Sequence, residues 1–173
     1  MSRHAPIWAW AMIAVGIVLA VVAVVVALHP ASGPTRQPTD AATPSWSAAG
    51  ADPIAYAQEL VADTNTARAT AGLPSLGLSE CARAAAADRA QALAGGRELT
   101  HASLVPVMEA CDPSGPAAEN LSRAAAGPQA VVDAWLASPG HRANLLDPTL
   151  TQVGVACVLD TDRMLCSQVF LGP

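Results

Sequence analysis

The chain has 173 residues, enough for one domain of ordinary size with short appendages. Hydrophobic residues make up 52% of it and aromatics only 3%, so any core must be built from Ala, Val and Leu with few large anchors. The net charge is −5 and all nine basic residues are arginine, a balance that argues against a phosphate-binding surface and hence against a nucleic-acid partner.

Much of the hydrophobicity is concentrated in "IWAWAMIAVGIVLAVVAVVVAL", residues 7–28, which carries no charge. That length matches the roughly 20 apolar residues a helix needs to cross a bilayer. Residues 1–6 contain Arg3, and Trp8 and Trp10 sit at the expected interface, so the amino terminus reads as a short cytoplasmic tail. A cleaved signal peptide is the alternative, but its apolar core is normally about 7–15 residues. The expectation is therefore an uncleaved signal anchor, single-pass in the cell membrane, with everything beyond residue 30 exported. Cleavage would leave the same domain secreted. Residues 29–50 are rich in Pro, Ser, Thr, Ala and Gly and show no apolar periodicity. Such a segment buries too little surface to offset its ordering entropy, which predicts a disordered stalk with Trp46 exposed in it.

The globular part is then 51–173, with thirteen acidic residues against seven arginines. Its first helix is expected from Pro53 to Ala71, with Ile54, Ala57, Val61 and Thr64 on one face and Gly72 as the left-handed cap. Asn65 and Arg68 fall on or beside the buried face, where polar groups must find hydrogen bonds, and read as structural ties to neighbouring loops. A second helix starts at Ser79 as cap, with Glu80 favoured in its first turn, and stops at Gly95-Gly96. A third begins at Pro128, presents Val131, Val132, Trp135 and Leu136, and ends at Ser138-Pro139. Strands are expected at 118–123, 151–159 and 163–171. Three strands not evenly alternated with helices predict an α+β sandwich.

Cys81, Cys111, Cys157 and Cys166 form an even set in an exported domain, which makes disulfides the default. If Thr161-Asp162 is a two-residue hairpin loop, Asp160 faces Arg163, Leu159 faces Met164 and Cys157 faces Cys166. That places the two cysteines in a non-hydrogen-bonded pair with α-carbons about 4.5 Å apart. Cys81 and Cys111 pair by elimination. No C-x-x-C spacing supports a metal thiolate instead.

Only His101 and His141 lie in the exported domain. Both are expected at junctions between helix and loop, where a rigid scaffold commonly holds working residues. Glu119 in "AENLS" opens a strand among apolar neighbours and is the candidate third member. A run of fragments in order now carries a resemblance: "NTARATAGLPSL" at 65–76, "LTHASL" at 99–104, "AENLS" at 118–122, "AWLASPGHRANLL" at 134–146, "VGVAC" at 153–157 and "SQVF" at 167–170. Over residues 54–171 the chain resembles the CAP superfamily, also called SCP-like: cysteine-rich secretory proteins, antigen 5 and pathogenesis-related proteins, in its short bacterial form. The resemblance implies an α-β-α sandwich around a three-stranded antiparallel sheet, with a cleft carrying two histidines and two acidic residues. By motif, His101 and His141 match the histidines and Glu119 the glutamate of a G-E-N motif. Ala118 stands where that motif has glycine, and the second carboxylate has no match, its position falling near Ser138.

Two imidazoles and a carboxylate make a partial shell for a divalent cation such as zinc. They equally make an acid-base cluster or a purely structural polar cluster. The leading expectation is a membrane-tethered, extracytoplasmic, non-catalytic domain that binds a ligand or envelope partner at this cleft. The resemblance to lipid-binding eukaryotic relatives extends this to an apolar ligand. The alternative is a metal-assisted hydrolase, peptidase or cell-wall acting, using His101, Glu119 and His141. No G-x-S-x-G element supports serine hydrolysis.

Overall fold

The computed structural model describes residues 46–113 and 115–173. The tail at 1–6, the expected membrane span at 7–28 and the stalk up to residue 45 lie outside the described residues. Among those described, no helix is long and apolar enough to cross a membrane.

In chain order the elements are α1 (Pro53–Thr70), β1 (Gly77–Leu78), α2 (Glu80–Leu93), α3 (Val105–Cys111), β2 (Ala117–Ala124), α4 (Pro128–Ala137), α5 (Pro139–Leu145), β3 (Gln152–Asp160) and β4 (Arg163–Leu171). α1 begins where Asp52 accepts from the Ile54 amide and Pro53 supplies a ready helical φ. It ends in the motif that Gly72 permits. With Gly72 at φ +75°, its amide reaches Ala69 O and the Leu73 amide reaches Arg68 O. Ser79 caps α2 by accepting from the Ala82 amide.

The sheet corrects the expectation of three antiparallel strands. It has four, in the order β1-β3-β4-β2, and is mixed. β3 and β2 flank β4 antiparallel, while β1 pairs with β3 in parallel through Gly77↔Gln152 and Leu78↔Val153. β1 leaves no mark in the sequence because two exposed residues carry no alternation. The β3–β4 hairpin has the register read from the sequence, with Cys157 opposite Cys166 and their α-carbons 4.1 Å apart. Both expected disulfides are present, Cys157–Cys166 across the hairpin and Cys81–Cys111 between α2 and α3.

Side-chain alternation on the central strand β4 builds two layers. Met164, Cys166 and Phe170 pack with Leu60 of α1, Val132 and Trp135 of α4 and Leu145 of α5. Leu165, Val169 and Leu171 face the other way, toward Ala82, Ala86 and Leu93 of α2. β4 is therefore buried almost throughout. α2 lies very close to the sheet: a Cβ on Gly154 would fall 2.0 Å from the Arg83 nitrogen. The alanine stripe of α2 and the missing side chain at 154 are two halves of one contact.

Three further expectations change. Trp46 is not an exposed stalk residue. It is half-buried against the core, its ring 5.5 Å from that of Tyr56, and Ala48 is fully buried. The packed domain thus begins at least five residues before 51. α3 has no counterpart in the sequence reading; it buries none of its seven residues fully, and Val107 and Cys111 alone, half-buried, make too short an apolar face to read. Ser138-Pro139 does not simply stop α4. Ser138 closes α4 and opens α5, with Pro139 as its first residue, so His141 stands in the first turn of a helix rather than in a loop.

Candidate functional site

Glu119 lies on β2, an edge strand, and its side chain faces the α2 layer. It is almost completely buried, which would be costly for a carboxylate without partners. Three donors meet it. Ser167 Oγ donates to Oε1 at 2.9 Å, Arg89 Nε donates to Oε1 at 3.2 Å, and His101 Nδ1 lies 2.8 Å from Oε2. Sequence reasoning missed both Arg89 and Ser167. Ser167 does carry a signal, as a hydroxyl inside an otherwise apolar strand run. Arg89 carries none, because a charged helical residue ordinarily reads as solvated.

His101 is held in the segment between α2 and α3. Arg89 Nη2 also donates to the carbonyl of Thr100, so one guanidinium fixes both the carboxylate and the backbone beside the histidine. The carboxylate accepts a hydrogen bond from the Nδ1–H of His101, which leaves Nε2 as the outward nitrogen. The imidazole is about half exposed, with a side-chain accessibility of 54%.

His141 comes from the opposite layer. Its Nδ1 lies 3.0 Å from Ser138 Oγ, so the hydroxyl at the helix start orients the ring. Burial lowers the His141 pKa below the ordinary 6.5, and the charge on a protonated His101 lowers it further. His141 is therefore neutral at pH 7, and the two rings lie within electrostatic reach of each other. Among the described residues, neither Nε2 has a hydrogen-bond partner.

α5 is fastened to the β2 edge by two asparagines. Asn144 Nδ2 donates to Glu119 O and to Asn120 Oδ1, and Asn120 Nδ2 reaches His141 O. The polar chain continues inward, Asn120 to Gln168 and Gln168 to Thr64 of α1. Arg68 secures the far end of α5. Fully buried, it donates to the carbonyls of Pro74, Leu145, Asp147 and Leu150. The structural reading of Asn65 also holds: it exchanges two hydrogen bonds with the Leu76 backbone.

The structure thus brings His101 and Glu119 into direct contact and sets His141 across the β2 edge, paired with Ser138. It does not gather the three into one shell. Among the described residues, no group of three His, Cys, Asp or Glu side chains is arranged to hold a metal ion. Glu119 has both oxygens engaged by protein donors. Glu119 is thus already engaged by protein donors, and His101 and His141 each present Nε2 away from their orienting partners.

Comparison with known proteins agrees with this architecture. The model of the cysteine-rich secretory protein family matches residues 61–170, more than half of the chain. Protein YkwD of Bacillus subtilis (strain 168) is 31% identical over 124 residues, covering 68% of this chain and 48% of its own length. The chain thus spans about half of that relative. Among solved structures, an extracellular protein containing an SCP domain from Bacillus anthracis str. Ames superposes with a TM-score of 0.61 at 24% identity, over 69% of this chain and 41% of that one. An outer surface protein from Borrelia burgdorferi does so with 0.64 at 20% identity, over 70% of this chain and 96% of that one. These structural likenesses concern the fold alone. The match of the family model over residues 61–170 places the chain in the cysteine-rich secretory protein, or CAP, family.

Proposed function

We propose that the chain is a membrane-tethered, extracytoplasmic CAP domain whose cleft binds a ligand through two oriented imidazoles, without hydrolysing it. The observation that supports this most is that Glu119 is almost completely buried and engaged on both oxygens by Arg89, Ser167 and His101, which leaves it no face toward a substrate. A general base needs a lone pair aimed at the substrate. Glu119 is instead a positioning residue that fixes the tautomer of His101. The hydrolase alternative asks His101, Glu119 and His141 to act together, with the carboxylate taking a proton, and no observation favours it.

A divalent cation such as zinc would be held by Nε2 of His101 and Nε2 of His141, with Glu119 behind the first imidazole and Ser138 behind the second. Carboxylates in that supporting place raise imidazole basicity and hold the ring. The bound ion would supply a Lewis-acidic centre for oxygen donors of an envelope component. An apolar ligand is the second chemistry suggested by the family. Export is supported by two disulfides with no free cysteine among the described residues, and by relatives named as extracellular and outer surface proteins. Tethering rests on the uncharged run at 7–28.

Thermal melts with and without zinc test this reading. Zinc at a hundred times its Kd stabilises by about 2.7 kcal/mol, a rise of several degrees. His101→Ala and His141→Ala should each remove that rise. An unchanged melting temperature of the parent protein in millimolar zinc would eliminate the cation.

A further inference from the structure

The two long edges of the sheet are treated differently. At the β2 edge two central outward carbonyls are covered, Glu119 O by Asn144 and Leu121 O by the Trp135 indole. At the other edge β1 pairs with β3 over only two residues before Ser79 turns the chain into α2. β3 runs on to Asp160 without it. Cys157 and Cys166 form a narrow antiparallel pair, so the backbone groups of Cys157 point away from β4. The same alternation turns those of Val155 and Leu159 outward, continuing from Val153, whose carbonyl accepts from Ser79. No described residue bonds to the outward amides or carbonyls of Val155, Cys157 or Leu159.

This bare edge forms the floor of a cavity of about 390 Å³. Ile54, Ala57 and Val61 of α1 wall one side, and Arg83 and Ala87 of α2 the other. Ile54 is 71% exposed and Leu78, at its mouth, 76%. Exposed apolar side chains beside unpaired strand amides are a feature that proteins ordinarily suppress.

We propose that this slot is a second binding site, distinct from the histidine cleft at the other edge, which takes an extended polypeptide as an added strand. A row of alternating N–H and C=O groups is satisfied in register only by another backbone. An acyl chain would fill the apolar walls and leave those groups unpaired. A second copy of this domain would bring its own α1 and α2 against the walls. The occupant is therefore a short uncharged segment with small or branched apolar side chains at alternate positions. Its alternate side chains pack toward Ile54 and Val61 on one face and Ala87 on the other.

The test uses the full chain in lipid nanodiscs and hydrogen exchange read by mass spectrometry over residues 154–160. The probe is a pool of capped hexapeptides randomised among Val, Ile, Leu, Ala and Thr, beside a twin pool N-methylated at every residue. The ordinary pool should slow exchange at least fivefold and the methylated pool should not. Ile54→Asp, at an exposed position, and separately Ala87→Trp, which plugs the slot, should each remove the slowing while the zinc response of the histidine cleft persists. Equal slowing by both pools, no slowing by either, slowing by palmitate alone, or slowing that rises with protein concentration without peptide would each overturn the proposal.

Discussion

Arg68 shows how a single side chain can organise a site it does not enter. Its guanidinium binds four carbonyls at 2.9–3.1 Å and thereby fixes the end of α5 and the loop to Leu150. Arg68→Met leaves those carbonyls buried without donors, and we expect a loss of about 3–5 kcal/mol in urea unfolding. Arg68→Lys should recover little of it, because an ammonium cannot reproduce the planar fork. Glu119→Gln tests the positioning role directly. The protein should stay folded while its zinc affinity, measured by calorimetry, falls about 10–100-fold. His141 adds a pH dependence just below the ordinary imidazole range. Its folded pKa lies below 6.5, so between the two values the unfolded chain binds more protons than the folded one. Its contribution is complete above about 6.5 and is lost as pH falls through the folded value. His141→Gln should flatten that limb of the stability curve; an unchanged slope would show the ring to be solvated.

At the scale of elements, the legible parts are those whose burial leaves a period or a stop signal. α1 ends at the glycine the sequence offers, and the β3–β4 register follows from counting outward from Thr161-Asp162. What escapes is structure held by something other than an apolar face. α3 buries no residue fully, only Val107 and Cys111 in part, and is tied down by Cys81–Cys111, while β1 is two exposed residues fixed by the start of α2. α5 is concealed because Ser-Pro-Gly is both a stop and a start, and the contacts that hold the second helix come from residues far away in sequence, Arg68 and Asn120 among them. The candidate site is half legible. His101, Glu119 and His141 are found by motif, but Arg89 and Ser167, which occupy Oε1 of Glu119 while His101 holds Oε2, are not. Replacing Cys81 and Cys111 by serine should cost roughly 3–4 kcal/mol in the chain-entropy model. It should also accelerate hydrogen exchange across residues 98–113 more than elsewhere, because α3 has little else to hold it.

For the whole molecule, the boundary of the packed domain lies upstream of residue 51. Trp46 and Ala48 belong to the fold. A chain beginning at residue 51 should therefore lose about 1–3 kcal/mol relative to one beginning at residue 44, seen as a lower melting temperature. The close approach at Gly154 sets the spacing of the two layers. Gly154→Ala must displace the α2 backbone, and we expect little folded protein. The two sheet edges then differ: the β2 edge has an oriented imidazole on either side of it, and beyond β1 the β3 edge offers bare backbone.

Long-range ¹H–¹⁵N correlation spectra of the two imidazoles during a zinc titration address the ring chemistry most directly. We expect His101 to carry its proton on Nδ1 before zinc is added, and the Nε2 signals of both rings to shift together as zinc binds. A proton on His101 Nε2, or rings that ignore zinc into the millimolar range, would contradict the role assigned to Glu119 and the cleft with it.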